Sequence, residues 1–340
     1  MSLHVACHDQ RVPTTDSPVN ARATSSRATA IPLAAYSRSG VLEGVFYGHA
    51  VILDPAGNIT QSWGSTTELF FPRSSNKIAQ ATAMSRWGLQ LPQHLQALTG
   101  ASHSGEAFHI EGVREILNSV NLTPAVLQTP PDFPLDRVER DACIARGEEP
   151  APILMNCSGK HAGMLATCVI NGWDIDTYLE LNHPLQQAIK SELASMTSAN
   201  IDVIGTDGCG APVMALTLPA LARLSQTAVL SESGTPARTV ADAFRAHPEY
   251  VGGTRRDVTH FMQRIPGFLA KDGAEGVYTA SFADGRAIAL KMEDGSDRGR
   301  NAAMAGILVS MGVEPEQVKE YLDQPLLGGG RVVGSVYPLI

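Results

Sequence analysis

Apolar positions along the chain alternate between two periods, and glycine or proline marks most of the changes. Residues 31–64 read as β-structure: 42–53 is strand-rich, Asp54-Pro55-Ala56-Gly57-Asn58 is a turn, and a polar strand follows. Leu69-Phe70-Phe71-Pro72 then leads into a helix through Ile78 and Met84 that ends at Gly88. Residues 98–101 are expected as a short strand that breaks at Ser102-His103-Ser104-Gly105-Glu106 and enters a helix near 108–120. The stretch 123–152 is rich in proline and is interrupted by a charged helix near 135–146. Ser158 is placed to cap a helix whose apolar face carries Met164, Leu165, Cys168 and Val169. Further helices are expected at 182–196, 216–225, 236–247 and 261–268, with a strand at 201–204. The last third returns to β-structure as a hairpin, 276–282 and 287–292, about the turn Ala283-Asp284-Gly285-Arg286. A helix rich in small residues, 298–311, follows, and no internal repeat is found.

This succession predicts a mixed α+β (α/β) chain. Residues 31–340 are read as a single domain with two lobes, and residues 1–30, polar and without an apolar core, as a disordered tail. The 44% apolar and 18% charged composition is that of a globular protein, and a net charge of -8 argues against nucleic acid as partner. No run approaches the roughly twenty apolar residues that span a membrane, and no signal core precedes the domain, so a cytoplasmic protein is expected. Cys7, Cys143, Cys157, Cys168 and Cys209 are odd in number and scattered, which suits free thiols or a metal site better than a disulfide framework.

Four places carry candidate chemistry. Ser74 and Lys77 lie one helical turn apart, so a serine nucleophile would have its own base, although a capping serine with a solvated lysine fits the same string. Ser102 sits at the end of the expected strand beside helix amides, where it could equally be a cap. Cys157 precedes a helix and Lys160, both of which would lower a thiol pKa, while His161 on the buried face suits a satisfied core histidine. The turn 205–212 leaves Thr206, Asp207 and Cys209 as its reactive side chains.

In order along the chain stand Arg73-Ser74-x-x-Lys77, Ser102-His103-Ser104-Gly105-Glu106, Asn156-Cys157-Ser158-Gly159-Lys160-His161-Ala162-Gly163-Met164-Leu165, Thr206-Asp207-Gly208-Cys209 and Lys291-x-x-Asp294-Gly295. With these strings the sequence resembles the rhizobial-type (class 3) asparaginases of the asparaginase II family, over roughly 40–336. The resemblance implies a fold similar to serine β-lactamases and glutaminases, mainly an antiparallel sheet flanked by helices plus a helical lobe, and a homodimer. It implies two serine-lysine pairs, Ser74 with Lys77 and Ser102 with Lys291. It also implies one zinc per chain on Cys157, Lys160 and Cys209, which would orient substrate, generate hydroxide or only fix loops. Two positions depart from the family: Ile78 stands where proline is frequent, and Tyr47-Gly48-His49 replaces His-Arg-Gly.

The activity implied is hydrolysis of L-asparagine to L-aspartate and ammonia. Ser74 would attack the side-chain amide to give a β-aspartyl ester, with neutral Lys77 as base and Lys291 as a second cation disfavouring its charge. Ser102 would relay protons or be the nucleophile itself. Arg73 would hold the α-carboxylate and Asp207 the α-ammonium, with Lys160 and His161 as further substrate contacts. The competing readings are a glutaminase, a penicillin-recognising enzyme, which the missing Lys-Thr-Gly disfavours, and a zinc-binding protein without activity.

Overall fold

The computed structural model describes residues 29–340. The expectation of a tail over 1–30 therefore falls almost wholly outside the described residues, as does Cys7.

The long β-ribbon at the start forms as expected, as β1 (Ile31–Arg38), β2 (Val41–Leu53) and β3 (Ile59–Trp63). A 3-10 turn, Arg73–Asn76, then runs directly into α1 (Lys77–Arg86). The helices α2 (Gln93–Leu98), α3 (Ala107–Asn118), α4 (Arg137–Ala145), α5 (Ser158–Asn171) and α6 (Pro184–Thr197) follow. A small hairpin, β4 (Ile204–Thr206) and β5 (Pro212–Met214), precedes α7 (Leu218–Leu230), α8 (Pro236–Ala246), α9 (Pro248–Gly252) and α10 (Asp257–Arg264). The chain closes with β6 (Leu269–Gly273), β7 (Val277–Ser281), β8 (Ala287–Met292), α11 (Asp297–Ser310), α12 (Pro315–Leu322), β9 (Gln324–Gly328) and β10 (Arg331–Pro338).

Eight strands make one antiparallel sheet in the order β6-β7-β8-β2-β1-β10-β9, with β3 paired to β2. Two adjacent residues of β7 show that helices cover both faces. The Thr279 hydroxyl donates to the Leu221 carbonyl of α7 at 2.9 Å, while the ring of Tyr278 lies 5.3 Å from the Arg300 guanidinium of α11. Neighbouring side chains of a strand point to opposite faces, so α7 and α11 lie on opposite sides. Every residue of β6 and β7 is consequently buried. The class expected from the sequence, an antiparallel sheet flanked by helices, is the one found.

Beyond α12, β9 and β10, which have no counterpart in the sequence reading, three expectations near the site differ. Leu98 closes helix α2 instead of opening a strand: Leu95, Ala97 and Leu98 are buried, and the Thr99 hydroxyl caps the turn on the Gln96 carbonyl at 2.7 Å. The strand expected at 201–204 forms later, as β4. The helix expected over 261–268 ends at Arg264, and the next residues make β6, for which the sequence reading had no counterpart.

Candidate active site

Helix α1 is buried on every side from Lys77 to Met84. Ile78, Ala79, Ala81, Ala83 and Met84 are all buried, so Lys77 at its start is carried inward with them. A buried ammonium is costly unless its donors are used. Lys77 Nζ donates to the Ala101 carbonyl at 2.6 Å, Ser102 Oγ at 3.1 Å and Cys157 Sγ at 3.1 Å. Three acceptors match the three donors of an ammonium group.

The string at 102–106 forms a loop fastened from every side. Ser102 N–H donates to the Val251 carbonyl, His103 Nε2 hydrogen-bonds Ser158 Oγ at 2.8 Å, and the Ser104 hydroxyl donates to the Gly252 carbonyl at 2.6 Å. Glu106 accepts from the backbone and hydroxyl of Thr254 at 2.7 and 2.8 Å. Burial, with His109 and nearby cations, pushes the His103 pKa well down, so its ring is a neutral structural group. Ser102 alone of this loop faces the lysines, and only 5% of it is exposed.

The second lysine on Ser102 is Lys271 of β6. Its Nζ donates to Ser102 Oγ at 3.2 Å, to the Asp272 carbonyl at 2.7 Å and to Asp272 Oδ1 at 2.6 Å. One hydroxyl is thus held between two buried lysines. Burial, aided by the charges of Lys77 and Arg256 and opposed by Asp272, lowers the Lys271 pKa to about 8. Lys291, expected in this position, instead sends its Nζ to the carbonyls of Glu275 and Met292 and stands away from Ser102. The expected pairing of Ser102 with Lys291 is corrected to Ser102 with Lys271.

Ser74 lies in the 3-10 turn, partly exposed, one turn before Lys77. The hydrogen bonds of Lys77 go to Ser102 and not to Ser74. Strand β6 comes close under this turn: a Cβ on Gly273 would meet the Pro72 carbonyl at 2.7 Å and Ser75 N at 3.1 Å. Arg73 takes a positive φ of 51°, a strained backbone for a long side chain, and its Nε donates to Asp207 Oδ1 at 2.7 Å. The two residues expected to hold the substrate's ends are therefore paired with one another.

The run 156–165 becomes the start of α5, and its glycines explain its composition. A Cβ at Gly159 would meet the Leu98 carbonyl at 2.7 Å, and one at Gly163 would meet Thr99 and Met84 at 2.9 and 3.1 Å. Only glycine lets α5 lie this close to α1 and the end of α2. The packing brings Lys160 to Cys209, Nζ to Sγ 3.1 Å, and sets Cys157 beside Cys209. His161 Nδ1 hydrogen-bonds the Tyr178 hydroxyl at 2.7 Å, and its ring also faces Cys209; burial and Lys160 lower its pKa to about 4. The expectation that Cys157 would be the activated thiol is reversed. Cys209 and burial push the Cys157 pKa up, and the Cys157 hydrogen bond with the Lys160 charge holds Cys209 down. Among the described residues no three His, Cys, Asp or Glu side chains are arranged to hold a metal ion. Two thiols and an amine do meet here beside the His161 imidazole, a donor set suited to a thiophilic ion.

Residues 34–338 match the family described as L-asparaginase II. The chain belongs to the L-asparaginase II family. It is a hydrolase acting on amide bonds. Among solved structures it is similar to a β-lactamase from Mycobacterium bovis, at 14% identity and a TM-score of 0.41, over 78% of this chain and 95% of that one. A glutaminase from Bacillus matches at 13% identity and a TM-score of 0.34, over 78% and 90%. No curated protein sequence matches the chain. In this L-asparaginase II chain, the residues that sequence reasoning missed are Lys271, Asp272 and Arg256. The signal that could have found Lys271 is its own Lys-Asp-Gly string after the apolar Phe268-Leu269-Ala270.

Proposed function

We propose that this amidohydrolase cleaves L-asparagine to L-aspartate and ammonia through a β-aspartyl ester on Ser74. The observation that carries the reading is the Ser102 hydroxyl held between Lys77 and Lys271, at 3.1 and 3.2 Å. Burial lowers the Lys271 pKa to about 8, and in the molecules where its amine is unprotonated a proton passes from Lys77 through Ser102 to Lys271, leaving Lys77 neutral. Lys77 takes the Ser74 proton as Oγ attacks the side-chain amide carbon. Backbone amides of the Ser74 turn hold the developing oxyanion. The C–N bond then breaks, a proton from the lysine pair goes to the leaving nitrogen, and ammonia departs. A water that gives its proton to the same pair hydrolyses the ester.

S-x-x-K with a second serine and a further lysine is the set used by penicillin-recognising serine enzymes, and by that analogy the attack falls to Ser74. Its partial exposure also suits it to meet substrate. A second reading makes Ser102 the nucleophile, favoured by its direct contact with both lysines. Asparagine is a zwitterion, and the Arg73–Asp207 ion pair is its complement: Arg73 for the α-carboxylate, Asp207 for the α-ammonium. Lys160, whose charge feels Asp207, and the neighbouring His161 are proposed as further substrate contacts. Zinc is assigned to Cys157, Lys160 and Cys209, where it would supply fixed positive charge beside the Lys77 cluster. We further read the protein as a cytoplasmic homodimer. Cys143, Cys157, Cys168 and Cys209 are free thiols, as a reducing compartment requires, and among the described residues no helix is long and apolar enough to cross a membrane.

The test is ammonia release from L-asparagine and, in parallel, L-glutamine. Wild type should release ammonia faster from L-asparagine, and Ser74→Ala should lose about four orders of magnitude in kcat/KM. A wild type inactive on L-asparagine ends this reading. A Ser74→Ala variant that keeps near wild-type activity while Ser102→Ala abolishes it moves the nucleophile to Ser102.

A further inference from the structure

Behind Ser102 and Lys271 lies a buried ladder of charges that the steps above do not use. Arg256, at the entry to α10, divides its guanidinium between two partners. One nitrogen donates to the Ser102 carbonyl at 2.6 Å, and another to Asp272 Oδ2. Asp272 Oδ1 holds Lys271 Nζ. Past Asp272, Arg300 of α11 stands 3.8 Å from Oδ2 and is itself held by Asp257 at 3.3 Å and Asp297 at 2.9 Å. Asp272 and Arg300 are 3% and 2% exposed, so these charges meet one another and not solvent.

The order of charges matters for the amine. A buried carboxylate facing Lys271 alone would fix the lysine as an ion pair. Here each oxygen of Asp272 has its own cation. The groups acting on Lys271 are Asp272 on its own strand, Lys77 on α1 and Arg256 before α10; Arg300 on α11 acts on Asp272, with Asp257, Asp297 and Tyr278 behind it. An arginine does not titrate in the working range, so its offset to Asp272 is constant. Burial alone would raise the Asp272 pKa, but Arg256, Lys271 and Arg300 hold the carboxyl well below the usual range. The same guanidinium ties down the backbone of Ser102.

We propose that Arg256 is a positioning residue for the Ser102–Lys271 pair, sharing the Asp272 carboxylate with Lys271 and clamping the Ser102 carbonyl. Its kinetic consequence rests on the amide-hydrolysis reading above; its effect on Lys271 does not. Without Arg256, Asp272 loses its nearest other cation and more of its charge falls on Lys271, which then keeps its proton to higher pH.

The chain has six lysines, Lys77, Lys160, Lys190, Lys271, Lys291 and Lys319, so carbon-labelled lysine gives a resolvable NMR titration. Lys271 is assigned by the signal lost in Lys271→Met. In Arg256→Gln its midpoint should rise by about one pH unit or more, and Arg256→Lys should restore most of the shift. Asp272→Asn should move it the other way, which keeps the charge ladder testable if Arg256→Gln does not fold. The acid limb of kcat/KM for ammonia release should rise with the midpoint in Arg256→Gln, giving about a tenfold loss below the limb. A Lys271 midpoint that stays put or falls in folded Arg256→Gln, or fails to fall in Asp272→Asn, overturns the proposal. A midpoint that shifts as stated in a protein releasing no ammonia supports the role of Arg256 and instead removes L-asparagine as substrate.

Discussion

Cys157 and Cys209 each touch a lysine, Lys77 and Lys160, yet differ in proton affinity, because in the hydrogen bond between them Cys157 keeps the proton and Cys209, with Lys160 and His161 beside it, carries the charge. That asymmetry could not be read from order along the chain. Cys157 precedes a helix and looked like the activated thiol, whereas the thiol held low belongs to a glycine-rich turn more than fifty residues later. The trio is too sparse for a signature of spaced zinc ligands, since its three members come from two distant segments and one is a lysine. Zinc assigned here should be found near one per chain in purified protein and should protect Cys157 and Cys209 from a thiol reagent. Cys209→Ser should lower zinc affinity by about tenfold or more. Wild-type protein that takes up no stoichiometric zinc, with both thiols equally reactive in its presence, removes the metal from the site.

Among the elements, the strand that matters most for the site is the one the sequence concealed. Helices were legible where capping and periodicity agreed: Thr217 accepts from Ala220 N, Thr235 from Arg238 N and Ser296 from Gly299 N, each at a start visible as Thr or Ser before the helix. Strand β6 has neither signal. Leu269-Ala270-Lys271-Asp272-Gly273 is buried on both faces, so it does not alternate, and its two charges suggest a surface turn when read without partners. Lys291 stands instead in the Lys-x-x-Asp-Gly string that carries the family resemblance. Of the five strings, four gave side chains that meet at the site, and the fifth did not. The close approach of β6 to the Ser74 turn makes a direct test. Gly273→Ala drives a Cβ against the Pro72 carbonyl and Ser75 N, which overpacks the contact by about 1–3 kcal/mol. Displacement of the turn should lower kcat by about tenfold or more, with a modest fall in Tm. An unchanged kcat in folded Gly273→Ala would show that Ser74 does not depend on β6 for its position.

The sheet has two unlike ends. β6, at one end, is buried and carries Lys271, whereas β9 closes the other and is bordered by exposed apolar side chains. Leu327 and Val332 are 62% and 67% exposed, and Val41 and Leu42, at the neighbouring β1–β2 turn, are 66% and 59%. The Ser39 amide donates to the Val333 carbonyl at 2.6 Å, which joins the two hairpins into one patch. An apolar edge strand left bare is a template for uncontrolled pairing, and a second copy of the chain placed edge to edge satisfies its backbone while burying these side chains. We therefore propose that two copies of the chain pair through β9 and β10. Six strand spacings separate β9 from β6, about 29 Å at the usual separation, so the contact is remote from Ser102 and Lys271. Sedimentation should find wild type at twice the mass of one chain and the double substitution Leu327→Lys with Val332→Lys at one. Because the edge lies so far from the lysines, the separated protomer should keep kcat for ammonia release within about threefold, as expected for sites without shared partners. A double variant that stays dimeric moves the interface elsewhere. One that becomes monomeric and loses activity places part of the active site at the dimer contact.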